Sequence, residues 1–202
     1  MMGEIRVFLG VNLDLRTTRR VADVQKRLHE AMGERAKELR WVPPTNLHVT
    51  LKFLGSIDAP LVNAIRDALR APLASKRSFR VRAKGLGAFP DVAAPKVVWL
   101  GVEDDSGSLA ALAGEIEEKL LGIGFEKEKR RFHAHVTLAR VKGAEGLALQ
   151  EAFAALGPAE CGESPITEVV VYRSDNVRSG VEYQALERLA LAARASREGS
   201  PG

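Results

Sequence analysis

The sequence carries NLHVTLKFLG at residues 46–55 and FHAHVTLARV at residues 132–141. A chain with four histidines thus sets two of them at the head of the same tetrapeptide, HVTL, once in each half. Side chains alternate across a strand, so His48 and Thr50 point one way while Val49 and Leu51 point the other. His135 and Thr137 stand likewise opposite Val136 and Leu138. The apolar pair of each strand can bury against helices, which leaves the histidine and threonine together on the free face.

The repetition extends outward. VFLGVNLDL (7–15) resembles VVWLGVEDD (97–105), and both read as short β-branched and aromatic strands. Behind the first, Val21, Val24, Leu28, Met32 and Leu39 keep helical spacing after Thr17 and Thr18 as N-caps. Behind the second, Leu109, Leu112, Ile116 and Leu120 do so after Ser106 and Ser108, and Gly122 and Gly124 end the run. Each HVTL is followed by a helix, 59–69 or 147–156, and then a strand, 78–87 or 166–174. A closing strand spans 181–189, and AFPDVAAPK (88–96) is a turn-rich connection. The pattern predicts an α+β fold: a duplicated β-α-β-α-β unit forming two pseudo-symmetric lobes around a central cleft. Residues 1–191 are expected as one two-lobed domain with interleaved halves, 1–90 and 91–191. Residues 192–202 are expected as a disordered tail.

The composition is that of a soluble domain, with 46% hydrophobic and 28% charged residues among 202. One cysteine, Cys161, makes no internal disulfide, which fits a reducing compartment. Neither a signal peptide nor a membrane span is read, so the expectation is a cytoplasmic protein without membrane attachment. The net charge of +4 is weak evidence by itself. Lys127, Lys129, Arg130 and Arg131 immediately before the second HVTL say more, because a basic run beside a repeated histidine is placed to meet an anion.

Two histidines without carboxylates at ligand spacing leave a metal's coordination unfilled, so no metal and no cofactor are expected. No Gly-rich phosphate loop is present, and Cys161 stands in no Cys-His context. Paired imidazoles suit displacement at phosphorus, where one deprotonates the attacking oxygen and the other protonates the leaving oxygen. Thr50 and Thr137 can donate to non-bridging phosphate oxygens, and Arg140 can add charge-assisted donation. Which histidine is acid and which is base stays open, because the site is pseudo-symmetric.

WVPPTNLHVTLKFLG (41–55) and HVTLAR (135–140) resemble the paired H-x-T-x signatures of the two-histidine phosphoesterase superfamily. Together with AFPDVAAPKVVWLGV (88–102) and VVVYRSDNVRSGVEYQAL (169–186), they are similar to its RNA 2',3'-cyclic phosphodiesterase branch, the 2'-5' RNA ligase family. The resemblance implies hydrolysis of a terminal 2',3'-cyclic phosphate on RNA to a 2'-phosphomonoester, with reversible 2'-5' joining as a related activity. It implies that His48 protonates the departing 3'-oxygen and that His135 accepts the proton of water. Thr50 and Thr137 would hold phosphate oxygens, and Arg140 matches the arginine closing the second motif. The partner would be an RNA end, with the protein a monomer needing no protein partner. The family commonly has proline where Ala134 stands. His133 shares a face with His135 and reads as a rim residue. Phe53, Phe89, Trp99 and Phe132 read as core, and Trp41 and Tyr183 as candidates to meet a base. Two other functions fit the same residues: an esterase for a small cyclic phosphate such as ADP-ribose 1'',2''-cyclic phosphate, and a non-catalytic RNA- or nucleotide-binding module.

Overall fold

The structure, a computed structural model, describes residues 3–143, 147–178 and 180–193. Its strands are β1 (Glu4–Val11), β2 (Leu39–Trp41), β3 (Val49–Asp58), β4 (Phe79–Phe89), β5 (Val97–Glu103), β6 (His135–Val141), β7 (Glu160–Ile166), β8 (Glu168–Val177) and β9 (Gly180–Ala190). Its helices are α1 (Leu15–Met32), α2 (Leu61–Ala74), α3 (Ser108–Leu121) and α4 (Gln150–Leu156). The α+β class and the duplicated order of elements stand. The strands make one curled antiparallel sheet in the order β7-β4-β5-β6-β3-β1-β8-β9, with β2 paired to β6. β4 leaves the first half to pair with β5, and β8 returns to pair with β1.

The helix N-termini depart from the expected caps. Asp14 caps α1 by accepting the Thr17 amide at 2.7 Å, while Thr17 is buried and its hydroxyl donates to the Glu163 carbonyl. Before α3, the Asp104 carboxylate accepts the amides of Ser106 and Leu109. A carboxylate takes these amides better than a hydroxyl, being charged and aided by the helix dipole. Two strands that no periodicity announced, β2 and β7, are short or interrupted by Gly162 and Pro165. Ala192 exchanges backbone hydrogen bonds with Lys76 and Ser78, and the rest of the expected tail, from residue 194, lies outside the described residues.

The core lies between the helices and the outward face of the sheet. Leu9, Leu28, Ile65, Leu69, Leu100, Ile116, Leu120 and Leu138 are each nearly or fully buried there. Burying such a side chain contributes about 1.5–3 kcal/mol. At the middle of the sheet β3 and β6 pair at one position, Val49 opposite Val136. Beyond it they diverge, and Gln25 of α1 closes the gap by donating to the carbonyls of Val42 and Leu138, both at 2.9 Å. The Leu138 carbonyl also accepts the Val42 amide at 2.9 Å, so the Gln25 amide serves chiefly to give the Val42 carbonyl a partner.

Gly87 stands directly opposite Trp99 in the β4–β5 ladder. A Cβ on residue 87 would come within 2.2 Å of the indole ring. Gly87→Ala is therefore expected to destabilise the fold by about 1–3 kcal/mol through overpacking, read as a lower midpoint in urea unfolding. An unchanged midpoint would mean that the indole can move aside without cost.

Candidate active site

The pairing of Val49 with Val136 sets His48 and His135, one residue earlier in each segment, in the same cleft. This cleft has a volume of about 720 Å³ and is lined by His48, Thr50, His135, Thr137 and Arg140. The structure thus brings all five sequence-expected site residues together. Val49, Val136 and Leu138 are buried on the other side, as alternation requires, and Leu51 is buried but also touches the cleft.

Alternation alone would not put Arg140 in the cleft, since it lies an odd number of residues after His135. The register explains it. Thr137 faces Trp99 while Ala139 faces Val98, so Leu138 is an extra, bulged residue, and Arg140 is thrown onto the face of His135. The first motif carries the matching bulge at Leu51, where Gly10 faces Thr50 and Leu9 faces Lys52. There the bulge turns Lys52 inward, buried in the cleft wall, and leaves Phe53 exposed in the cleft. Phe53 is 62% exposed and lines the cleft, which corrects its expected place in the core. Phe89 and Phe132 line it too.

Both imidazoles are held the same way. His48 Nδ1 donates to the Asn46 carbonyl at 2.7 Å, and His135 Nδ1 donates to the His133 carbonyl at 2.7 Å. A carbonyl only accepts, so Nδ1 carries the proton in each ring, and Nε2 is the nitrogen left for a substrate. His48 Nε2 lies 2.9 Å from the Thr50 hydroxyl. An aromatic wall stands beside each ring. Phe8 packs on His48 at 4.8 Å, with Tyr183 edge-on at 5.2 Å. Phe89 meets His135 edge-on at 5.1 Å, and Trp99 lies behind it at 6.2 Å. Phe8 and Trp99 hold equivalent places in the repeated VFLGV and VWLGV segments.

Burial lowers the proton affinity of both rings below the usual histidine value of 6.5, more than the hydrogen bonds to the Asn46 and His133 carbonyls raise it. His135 and Arg140 push His48 further down, and His133 and Arg140 do the same to His135. At neutral pH the open cleft therefore holds two neutral imidazoles. Burial raises the Tyr183 phenol, which stays protonated, and pushes the Cys161 thiol up to about 11, far from the cleft on β7. Among the described residues no group of three or more His, Cys, Asp or Glu could hold a metal ion.

Of the other residues singled out, His133 lines the cleft, packed on Trp99 at 4.8 Å. Tyr183 lines it, whereas Trp41 lines a separate shallow groove with His29 and Pro44. Arg130 and Arg131 reach the cleft, while Lys127 pairs with Glu118. Sequence reasoning missed Asn46 as the anchor of His48, and it missed Lys52. The Lys52 side chain is 3% exposed, and its ammonium binds Glu117 and the Glu126 carbonyl, both at 2.7 Å. Its place in HVTLK was visible, but its partners are 65 residues and more away.

A split antiparallel sheet carrying two H-x-T strands around one cleft defines a class of phosphoesterase, and the family comparison agrees. The model of the 2'-5' RNA ligase superfamily matches residues 20–178, and the chain belongs to that superfamily. Within it, relatives named RNA 2',3'-cyclic phosphodiesterase match nearly end to end. One from Aeropyrum pernix is 36% identical, covering 82% of this chain and 94% of its own. Another, from Methanothermobacter thermautotrophicus, is 31% identical over 93% of this chain and all of its own. In fold, the chain is similar to a protein of Thermus thermophilus, with a TM-score of 0.78 at 23% identity and coverage of 93% and 98%. It is also similar to E. coli LigT, with a TM-score of 0.69 at 24% identity and coverage of 94% and 99%. No helix among the described residues is long and apolar enough to cross a membrane.

Long-range ¹H–¹⁵N spectra at neutral pH should show both His48 and His135 as neutral Nδ1–H tautomers. A Cβ at Gly10 would meet the Val49 carbonyl at 2.9 Å and the His48 ring at 3.2 Å. Gly10→Ala should accordingly shift the His48 signals and leave those of His135 in place. Equal disturbance of both would show that the two rings are not seated independently.

Proposed function

We propose that this chain hydrolyses the terminal 2',3'-cyclic phosphate of RNA to a 2'-phosphomonoester, using His48 and His135 as general acid and base. The observation that carries the reading is the matched pair of Nδ1-anchored imidazoles, which share one cleft with two threonine hydroxyls and Arg140, the His48 Nε2 meeting the Thr50 hydroxyl. The names of the relatives support the substrate class.

In this reading the phosphate sits between the rings. The threonine hydroxyls and the Arg140 guanidinium donate to its non-bridging oxygens and answer the charge that builds there. His135 Nε2 takes a proton from water as the water oxygen bonds to phosphorus. The bond from phosphorus to O3' breaks, and His48 Nε2 delivers its proton to that oxygen. The products are a 2'-phosphomonoester and a free 3'-hydroxyl. Bringing the anionic phosphate between two neutral rings raises their proton affinity, which loads His48 when substrate arrives. With the 5'-hydroxyl of a second RNA end in place of water, the same transfers form the bond from phosphorus to O5', break that to O3' and give 2'-5' joining. Protonation and deprotonation by side chains leave no step for a metal or a cofactor, and the protein is read as a cytoplasmic monomer.

His48→Ala and His135→Ala should each lower turnover of an RNA 2',3'-cyclic phosphate by about 10²–10⁴-fold, with unchanged circular dichroism and with the native rate indifferent to EDTA. Substantial activity in either variant would sink the two-imidazole mechanism.

The pH dependence follows from the lowered histidines. Catalysis requires one ring protonated and one neutral, and in the free protein this form gains population only as pH falls below 6.5. At lower pH both rings protonate and the base is lost. The profile of kcat/KM should thus be a bell with its optimum below pH 6.5, and that of kcat should shift upward, because bound phosphate favours the imidazolium. A kcat/KM that climbs steadily towards alkaline pH would contradict both assignments.

A further inference from the structure

We infer that Arg130 and Arg131 form a second phosphate subsite, for the backbone phosphodiester on the 5'-oxygen of the terminal ribose. The cleft would then be matched to the end of an oligoribonucleotide rather than to a cyclic mononucleotide. The inference rests on the proposed function and names its substrate more closely.

A cyclic phosphate diester carries one negative charge, and the donors at the centre of the cleft already meet it: one imidazolium, two hydroxyls and Arg140. Two further guanidiniums on the rim exceed what that group needs. Arg130 and Arg131 are exposed and line the cleft, and neither has a carboxylate partner among the described residues. Glu117 and Glu128 also line the cleft, but Glu117 is paired with Lys52, so the two guanidiniums stand against the single carboxylate of Glu128. The next anion along an RNA end is the diester on the 5'-oxygen, and planar guanidinium forks suit its oxygens. Phe53 and Phe132 line the same cleft and offer surfaces on which a base can stack.

The rim is also anchored at both ends. The Phe125 amide donates to the Leu120 carbonyl. Lys52 grips the Glu126 carbonyl, and the Glu117 carboxylate that pairs with Lys52 accepts the Glu128 amide at 3.2 Å. Downstream, the Val102 amide fixes the Ala134 carbonyl, and β6 begins at His135. Residues 129–133 form a short bridge between these points, so the arginines are carried by a segment tied to both histidine strands. Lys52 is thereby a positioning residue for this subsite.

The experiment compares kcat/KM for adenosine 2',3'-cyclic phosphate and for a trinucleotide ending in the same cyclic group. In the native protein at low salt the trinucleotide should be preferred by about tenfold or more, a ratio in keeping with one charge-assisted contact. In the double variant Arg130→Gln, Arg131→Gln that ratio should fall towards one. The salt dependence of the trinucleotide reaction should flatten by a log–log slope of about 0.7, the change for one phosphate contact on a single strand. If the variant lowers both substrates in proportion, the arginines serve the reacting phosphate and the subsite is refuted. A native ratio near one refutes it as well and leaves the proposed function standing. No turnover of either substrate by the native protein would overturn the proposed function itself, and the subsite with it.

Discussion

One paired position holds the molecule's chemistry together. Val49 meets Val136 where the two halves of the sheet touch, and both side chains are fully buried. A shift of one residue at that seam would turn His48 and Thr50, or His135 and Thr137, into the core and their apolar neighbours into the cleft. The cost of burying an imidazole and a hydroxyl without partners, and of exposing the apolar pair, makes such a slip prohibitive. The hydrophobic pattern that folds the sheet is therefore the same pattern that aims the site. Gln25 of α1 supports the seam by donating to the carbonyls of Val42 and Leu138, the latter also accepting the Val42 amide.

The second constraint is the bulge in each motif strand. Leu51 and Leu138 occupy equivalent places, and each reverses the alternation that follows it. After the first, Lys52 turns inward to clasp Glu117 in the cleft wall and Phe53 enters the cleft. After the second, Ala139 is buried and Arg140 enters the cleft. One backbone device thus supplies an aromatic surface on one side and a cation on the other. The pseudo-symmetry is broken by the residue that follows the bulge, not by the histidines.

The electrostatic state of the open cleft follows from its walls. Phe8, Tyr183, Phe89 and Trp99 remove water from the rings, and that desolvation outweighs the two backbone carbonyls that would favour protonation. Such walls keep the rings neutral until an anion enters. They also fix orientation: with Nδ1 tied to a carbonyl, each ring presents Nε2 and no other nitrogen.

The sequence by itself determined the duplicated order of strands and helices, the alternation that pairs histidine with threonine, and the resemblance that points to a phosphoesterase. These are local properties, written in residues two to four apart. It missed β2 and β7, because three residues, or seven broken by Gly162 and Pro165, carry too little periodicity to register. It put the α1 and α3 caps on hydroxyls where Asp14 and Asp104 take the amides. Phe53 was misread as core, since a bulge leaves no mark in composition. Only the tertiary structure decided which residues share the cleft with the histidines, how Lys52 finds Glu117, and where Arg130 and Arg131 stand. Those outcomes depend on register between strands distant in sequence, and register is set by packing across the whole sheet.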